Sequence, residues 1–424
     1  MKIALRSLSL ALVLPLAVLA SARAENWAGW RGPQRNGVTT DSGVPLKWSP
    51  TSGVGWKVPL AGSGISNPIV WDKVVVCTSS DGVRQQDLHV VALDRDTGRS
   101  LWQARFWGTA PTLHHGTKSS MASPSPVTDG EHIYAFFGTG DVFCLDFQGR
   151  LVWQRSLAGE YGAFENRFAA SSSPLLFEDS LIVQCDHFGA SYLLAIDKGT
   201  GENRWKTDRP GAWLSWSSPV CTKTSGPGSE LLVCGSQKMN AYDPRTGRKL
   251  WTLRGLEREC IPTPIVADGL IYTVSGPNGT SFAVRPGGRG DVTDSHVVWT
   301  STRGNPFVPS AILVGERYYL VDDHGIATCL DSKSGKILWR KRLGGDFSAS
   351  PVAAENRVYF TNEAGSTLVI QAGAERYTEL SRNEIGEPVY ASPAISAGRF
   401  FLRTAKHLWC LEEKDEMKSK RRLR

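Results

Sequence analysis

The chain has 424 residues, 43 of them glycine and 15 tryptophan, and a formal net charge of +7. Such a mild positive charge for this length gives no reason to expect a nucleic-acid partner. The length is sufficient for a large core, and the many Asp-Gly, Thr-Gly and proline-containing turns favour an all-β fold.

Residues 1–24 predict a secretory signal peptide. Lys2 and Arg6 give a positive start, residues 8–19 are apolar, and Ala22-Arg23-Ala24 is a small-x-small cleavage pattern. The apolar run is too short for a membrane anchor, and no second span follows it. There is no cysteine near the cleavage site to carry a lipid. We therefore expect an exported, soluble protein, periplasmic or secreted, with no lipid anchor and no transmembrane segment in its mature part.

Residues 25–53 are rich in glycine and lack the alternation of a strand. We expect them to form an ordered extension laid across the following domain, with Trp27 and Trp30 packing against it; stacking of these rings on a ligand is the alternative. The stretch from Val54 to Leu60 then predicts one isolated strand, which carries Trp56.

A tryptophan-containing hairpin recurs along the rest of the chain. Residues 92–102 read Ala-x-Asp-x-x-Thr-Gly-x-x-x-Trp, and the spacing returns at 195–205, 241–251 and 329–339, with a form one residue shorter at 144–153. The glycine suits the positive φ of a tight turn, while Asp and Thr can bond the turn's own backbone. A repeat of this period indicates an array of identical units.

The other half of each unit begins with a Ser-Pro-like step and continues into a second strand. Eight such steps occur, with prolines at Pro68, Pro124, Pro174, Pro219, Pro264, Pro309, Pro351 and Pro393. The strand at Trp56 precedes the first step, and no outer strand follows the last one. The first strand would therefore complete the last unit, which closes a ring and removes exposed sheet edges.

The sequence thus predicts an eight-bladed β-propeller of four-stranded blades over residues 25–413, closed by the N-terminal strand and followed by a charged tail at 414–424. A linear solenoid is the structural alternative, but it would gain nothing from the offset first strand. We expect tryptophans between neighbouring blades at Trp56, Trp102, Trp153, Trp205, Trp251, Trp299 and Trp339, with Tyr377 as a degenerate eighth.

The eight cysteines of an exported protein raise the question of disulfides. Cys144, Cys329 and Cys410 occupy the slot that alanine fills in other repeats, where cysteine serves as a small buried side chain. We expect mostly free buried thiols. Cys221 and Cys234 are the one pair expected to lie close enough to check for a bridge.

The repeat resembles the tryptophan-docking repeat of PQQ-like, or quinoprotein-type, propellers. The stretch Trp30-Arg31-Gly32-Pro33, with Asn36-Gly37 after it, and residues 283–293 resemble exported bacterial PQQ-like repeat proteins. The fold implied is also that of the BamB lipoproteins, although the lipid-bearing cysteine is missing. The resemblance to PQQ dehydrogenases implies an adjacent-cysteine disulfide, a calcium and a catalytic Asp, but the sequence has no adjacent cysteine pair. We therefore expect no cofactor.

Ligand-binding residues are expected on the crossover loops that lead from each outer strand to the next inner strand, because such variable loops on a rigid scaffold commonly carry function. The candidates form a polar ring with two tryptophans. They are His114, His115, Lys118, Asn166, Arg167, Trp213, Trp216, Glu259, Asn305, Asp346, Glu387 and Tyr390. No catalytic or metal-binding residue is predicted.

These observations predict a non-catalytic binding or scaffold module, expected to be a monomer, for a cell-envelope protein or a carbohydrate-like ligand. One alternative is a PQQ-dependent quinoprotein-like oxidoreductase, with PQQ and calcium in a divergent site. Another is a hydrolase or lyase that uses the loop of His114, His115 and Lys118. A propeller by itself does not decide among them.

Overall fold

The computed structural model describes residues 25–223, 228–276 and 279–413. These residues form eight antiparallel meander sheets, and one short helix, α1 (Leu157–Tyr161), is the only α-helix among them. The inner strands of neighbouring sheets lie against one another around a central channel, which makes the sheets the blades of a propeller. The predicted all-β, eight-bladed fold is confirmed.

In blades 1 to 4 the strands follow one another in chain order from the channel outwards. Blade 1 consists of β2 (Ile69–Trp71), β3 (Val74–Asp81), β4 (Asp87–Asp94) and β5 (Ser100–Trp107). Blade 2 consists of β6 (Val127–Thr128), β7 (His132–Phe136), β8 (Asp141–Asp146) and β9 (Leu151–Ser156). Blade 3 consists of β10 (Leu175–Phe177), β11 (Ser180–Cys185), β12 (Tyr192–Asp197) and β13 (Asn203–Asp208). Blade 4 consists of β14 (Val220–Lys223), β15 (Ser229–Gly235), β16 (Lys238–Tyr242) and β17 (Lys249–Arg254).

The remaining blades keep this order, except that blade 5 contains an insertion and blade 8 takes its outer strand from the N-terminal part of the chain. Blade 5 consists of β18 (Ile265–Ala267), β19 (Leu270–Thr273), β20 (Ser281–Val284) and β22 (Val297–Ser301). Blade 6 consists of β23 (Ile312–Val314), β24 (Arg317–Val321), β25 (Ile326–Asp331) and β26 (Ile337–Arg342). Blade 7 consists of β27 (Val352–Ala354), β28 (Arg357–Thr361), β29 (Ser366–Gln371) and β30 (Glu379–Glu384). Blade 8 consists of β31 (Ala394–Ser396), β32 (Arg399–Arg403), β33 (His407–Leu411) and the N-terminal β1 (Val54–Pro59).

The N-terminal strand closes the ring as predicted. β1 pairs antiparallel with β33, so that Trp56 lies opposite Cys410. The Trp56 indole N–H donates to the Arg95 carbonyl of blade 1 at 2.9 Å, and Arg399 of blade 8 pairs with Asp96 in the same turn of blade 1. A linear solenoid is excluded because the first and last blades are in direct contact.

Tryptophans dock between blades by one repeated contact. At five junctions the indole N–H donates to the carbonyl of the residue that follows the turn aspartate in the next blade, at 2.7–3.0 Å. At Gly335 an added Cβ would lie 2.6 Å from the Trp299 ring, and φ is +71°. The turn glycine therefore serves both the left-handed backbone and the close approach of the indole. The five donors are Trp56, Trp102, Trp153, Trp205 and Trp299.

Two of the seven predicted docking tryptophans depart from this pattern. The Trp251 indole meets blade 5, where an insertion replaces the tight turn and contributes β21 (Gly290–Asp291) as a parallel fifth strand on β17. Blade 4 therefore has five strands, one more than predicted. At the other junction Trp339 packs edge-on against Tyr377, with 5.6 Å between ring centroids. The prediction of Tyr377 as an eighth tryptophan slot is wrong, since the register places Ser381 opposite Val369.

The Ser-Pro-like steps form a hydrogen-bonded belt around the channel. We call the residue at the serine position of each step the slot residue. In seven successive links, the backbone N–H of one slot residue donates to the side-chain oxygen of the slot residue in the next blade, at 2.8–3.3 Å. In blades 2 and 6 the proline identified from the sequence precedes its slot residue. The belt consists of Asn67, Ser125, Ser173, Ser218, Thr263, Ser310, Ser350 and Ser392.

All eight cysteines are free, including Cys221 and Cys234, and seven of them are buried. Burial raises the pKa of the Cys77 thiol to about 11 and that of Cys144 to about 12, which keeps both protonated at neutral pH. Within the described ranges no helix is long and apolar enough to cross a membrane. The predicted signal peptide and the tail at 414–424 lie outside the described residues.

Candidate functional site: the crossover-loop face and the central channel

The two ends of the channel differ in construction. The crossover loops and the turns between the second and third strands lie at one end, which we call the crossover face. The extension at 25–53 lies across the other end, which we call the floor. It touches inner strands around the ring, for example through Trp27 to Val70, Thr128 to Ala28 and Thr39 to Ala353.

Arg31 anchors the floor. Its side chain is fully buried, and the guanidinium donates to the carbonyls of Pro351 at 2.5 Å, Ala311 at 2.5 Å and Asn36 at 2.9 Å. Burial lowers the pKa of Arg31 to about 9, so the group still carries its charge at neutral pH. The preceding Trp30 donates its indole N–H to the Thr263 hydroxyl at 2.9 Å and forms the closed end of the channel.

The channel holds a cavity of about 270 Å³ that opens towards the crossover face. Its wall is largely apolar and contains five aromatic rings together with the hydroxyls of the belt. Pockets of this kind, apolar with a few placed polar groups, are typical of small-molecule sites. The aromatic residues are Trp30, Phe168, Trp216, Phe307 and Tyr390.

Charged groups stand at the channel mouth. The Lys118 ammonium lies 2.7 Å from the Glu363 carboxylate of blade 7, which also accepts from the Ser348 hydroxyl at 2.6 Å. Burial alone would lower the pKa of Lys118, but the bond to Glu363 outweighs it and raises that pKa. The half-buried Glu259 lies elsewhere on the wall. The channel lining thus carries one neutralised lysine, Lys118, and one carboxylate, that of Glu259.

A second depression lies on the crossover face over blades 1 to 3. It is an open groove of about 800 Å³ between the loops at 109–114 and 163–167. Val83, Leu113 and Phe188 line it and expose 98 %, 73 % and 47 % of their surfaces. Beside it, the Arg258 guanidinium lies 3.4 Å above the exposed Trp213 ring, and Trp213 in turn contacts Phe188 edge-on. This side of the face thus exposes large apolar side chains next to polar ones, among them Arg84, Glu165 and Arg167.

The twelve predicted ligand-binding residues fall into four groups. Five line the channel: His115, Lys118, Trp216, Glu259 and Tyr390. Three line the groove instead: His114, Asn166 and Arg167. Trp213 and Asp346 are exposed beside these depressions, and Asp346 pairs with His324 at 3.4 Å.

The remaining two, Asn305 and Glu387, are held in contacts within the scaffold. Asn305 is buried, and its amide bonds Gly279, Ser301 and Ser281. Glu387 binds Lys57, Thr404 and His407, which fastens β1 to blade 8. These contacts use the carboxylate and amide that a ligand would need.

Sequence reasoning missed the apolar part of the channel. Ile65, Phe168, Ile261, Phe307 and Val308 line it, yet each stands in a crossover loop without a repeating pattern. Trp30 was expected to pack, and its position at the closed end of the channel depends on the path of the whole extension. The belt serines did carry a signal, namely their recurrence before proline.

The fold and the site define a class: an eight-bladed, PQQ-like propeller with a floor segment and a channel that opens at the crossover face. A family model described as outer membrane protein assembly factor BamB matches residues 34–212 and 189–420. Since the match covers most of the chain, the chain belongs to this family. The resemblance recognised in the tryptophan repeat is confirmed.

Individual relatives are distant. The chain is 25% identical to the BamB of Yersinia pestis over 263 residues, 59% of this chain and 61% of the relative, so it spans less than two thirds of that protein. The crystal structure of BamB from Moraxella catarrhalis superposes with a TM-score of 0.63 at 15% identity, covering 85% of this chain and 98% of that one. The quinohemoprotein alcohol dehydrogenase of Comamonas testosteroni gives 0.65 at 12% identity, with 91% and 80% covered. Structural matches at identities this low establish the fold alone.

The channel residues fit the dehydrogenase cofactor poorly. PQQ is a tricarboxylic quinone and needs cationic partners, but among the described lining residues Lys118 is the one lysine or arginine, and Glu363 already neutralises it. No group of three or more His, Cys, Asp or Glu side chains among the described residues is arranged to hold a metal ion. We therefore assign no oxidation step to this channel.

Proposed function

We propose that this chain is an exported, non-catalytic binding module whose crossover face docks a protein of the cell envelope. The observation that carries this proposal is the distribution of exposed apolar side chains. Six of the nine large hydrophobic residues exposed among the described ones lie on the crossover face over blades 1 to 4. They are Val83, Trp107, Leu113, Phe168, Phe188 and Trp213.

Such a concentration favours a protein partner. Clustered exposed apolar surface on a soluble domain is typical of interaction sites, because covering it removes that surface from water. Tryptophan and arginine are also the residues most often found to dominate binding energies, and Trp213 with Arg258 stands at one edge of this surface. The relatives described as outer membrane protein assembly factors suggest a partner from that machinery.

A carbohydrate-like ligand, the other class predicted from the sequence, is less well supported. The channel offers aromatic rings for stacking, but the belt hydroxyls already accept backbone N–H groups, which leaves a sugar mainly their own O–H protons to bind. The groove does carry polar side chains, among them Arg84, Glu165 and Arg167, but Val83 and Leu113 expose 98 % and 73 % of their surfaces there. A protein surface matches it better.

Catalysis also has weaker support. His114 and His115 line different depressions, and Lys118 is bound to Glu363, so this loop does not assemble a nucleophile with a base. For the oxidoreductase alternative, PQQ and calcium would be added to the purified mature protein. A raised melting temperature together with dye-linked oxidation of alcohols or sugars would overturn the non-catalytic proposal.

The docking proposal is tested by site-specific photocrosslinking in the native bacterium. A photoreactive amino acid replaces Trp213 in one strain and Leu151 in another; the two side chains expose 41 % and 45 % of their surfaces. Leu151 lies on β9, away from the crossover face. We expect a discrete crosslink to an envelope protein at position 213 only.

A Phe188→Ala change in the Trp213 reporter strain provides the second arm. It removes a ring in contact with residue 213, and we expect the crosslink to weaken several-fold while expression stays unchanged. Equal crosslinking at positions 213 and 151, or the lack of any crosslink at position 213, would overturn the proposed docking face.

A further inference from the structure

Glu259 is the starting point because its carboxylate lines the channel without a partner. It lies on the wall of the cavity in the crossover between blades 4 and 5. No hydrogen bond or ion pair joins its side chain to any residue of the described part of the chain. A carboxylate that has no protein partner and lines an aromatic cavity is available to a cation that enters the cavity.

The other charges at the mouth do not compete for this role. Lys118 is engaged by Glu363 at 2.7 Å, so the two cancel. His115 accepts the Lys118 backbone N–H on Nδ1 at 3.3 Å, and its ring lies tilted against that of Phe168 with 6.2 Å between the centroids. Glu259 is therefore the one carboxylate among the lining residues, and Asp323, which accepts the Phe307 and Val308 backbone N–H groups behind the wall, adds a second negative group, so the surroundings of the cavity favour a cation.

The aromatic wall adds a second, independent preference. Five aromatic rings surround a cavity of about 270 Å³, and the backbone N–H groups of Trp216 and Ser217 donate to the Cys260 carbonyl, which places Trp216 beside the segment of Glu259. The faces of aromatic rings attract cations, most strongly in sites removed from water. A carboxylate combined with several rings is the arrangement that recognises alkylammonium groups.

We propose that the central channel binds a small organic cation, an ammonium or quaternary ammonium group on a short body, with Glu259 as its counter-ion and the rings around it. The serine hydroxyls of the belt lie deeper, where they can donate to an oxygen atom on the ligand. Phe168 belongs both to this site and to the exposed patch proposed to dock a protein, but the counter-ion Glu259 and the other four rings belong to the channel alone.

The test uses isothermal titration calorimetry on the mature protein. Choline is compared with 3,3-dimethyl-1-butanol, which has the same shape but a carbon atom in place of the nitrogen cation. Tetramethylammonium, benzyltrimethylammonium and benzoate complete the set. We expect choline to bind at least about tenfold more tightly than its neutral isostere, and benzoate to bind more weakly than benzyltrimethylammonium.

Two variants locate the site. Glu259→Gln should lower the affinity for choline about tenfold and leave the affinity for 3,3-dimethyl-1-butanol unchanged. Glu131→Gln is the matched control, since it removes one exposed carboxylate from the turn between β6 and β7 on the floor side. Tyr390→Leu removes one ring of the aromatic wall and should also lower the affinity for choline.

Several results would overturn the proposal. They are equal affinity for choline and its isostere, unchanged choline binding in Glu259→Gln with normal circular dichroism, tighter binding of benzoate than of the cations, and no heat from any of the three cations at millimolar concentration. Because Glu259 has no partner among the described residues, the Glu259→Gln protein should retain its structure.

Discussion

The floor and the crossover face are built from the same eight blades. They differ in how far their polar groups are hydrogen-bonded and their apolar side chains are buried. On the floor side, Arg31 donates to three backbone carbonyls, and five tryptophan indoles donate to turn carbonyls. On the crossover face, Val83, Leu113 and Trp213 are exposed, and the Glu259 carboxylate has no partner among the described residues. The comparison indicates that one end of the propeller stabilises the ring, whereas the other is available for recognition.

The largest expected effect lies on the floor. Arg31→Met would leave the carbonyls of Pro351, Ala311 and Asn36 buried without a donor, and we expect a loss of about 4 kcal/mol in the free energy of unfolding. Urea unfolding measures it. Arg35→Met is the control on the same segment, because Arg35 makes a single long bond of 3.4 Å to Leu176. Similar losses for both variants would mean that Arg31 is not the anchor.

Tryptophan docking is tested by a pair of glycines. Gly335→Ala places a Cβ 2.6 Å from Trp299. Gly373 also has a positive φ, +77°, but a Cβ added there meets open space. We expect roughly 3 kcal/mol of destabilisation for the first and about 1 kcal/mol for the second, which isolates the steric part from backbone strain. Thermal unfolding of the two variants measures the difference. Equal shifts in their melting temperatures would show that tryptophan docking contributes little to stability.

Acid sensitivity should arise at the ring closure. Burial alone would raise the pKa of Glu387, but the bonds from Lys57, Thr404 and His407 outweigh it and lower the pKa from 4.5 to about 2. A carboxyl with a depressed folded-state pKa stabilises fully above its unfolded pKa, and this contribution is lost as the pH falls from about 4.5 towards 2.

Urea midpoints of the wild type and Glu387→Gln, compared at pH 6 and pH 3, check this expectation. The variant should be less stable at pH 6, and the gap should narrow at pH 3. A constant gap would show that the ionised form of Glu387 does not fasten β1.

The smallest effect on stability is expected on the crossover face. Trp213→Ala removes a ring that is 41 % exposed and packs mainly against Arg258 and Phe188. We expect a change within about 0.5 kcal/mol in the free energy of unfolding, measured by the same urea titration. A loss as large as that of Arg31→Met would show that the patch belongs to the core and would weaken the contrast between the two ends.

The number of blades, their closure and the tryptophan positions could all be predicted from the sequence. Each depends on a local pattern that recurs: a turn with Gly98 or Gly335 at a constant distance from Trp102 or Trp339, and a serine before proline. Repetition makes a local signal strong, because every copy must satisfy the same turn and the same neighbouring blade. Where the pattern degenerates, at Tyr377, the predicted register is wrong.

Which loop residues converge depends on the tertiary structure instead. His114 and His115 are neighbours in sequence, yet they line different depressions, and Asn305 and Glu387 are used within the scaffold. The lining of the channel depends on how far each crossover loop reaches inwards and on the extension that brings Trp30 across the floor. No periodicity encodes those paths, because each loop is shaped by contacts with residues far away in the chain.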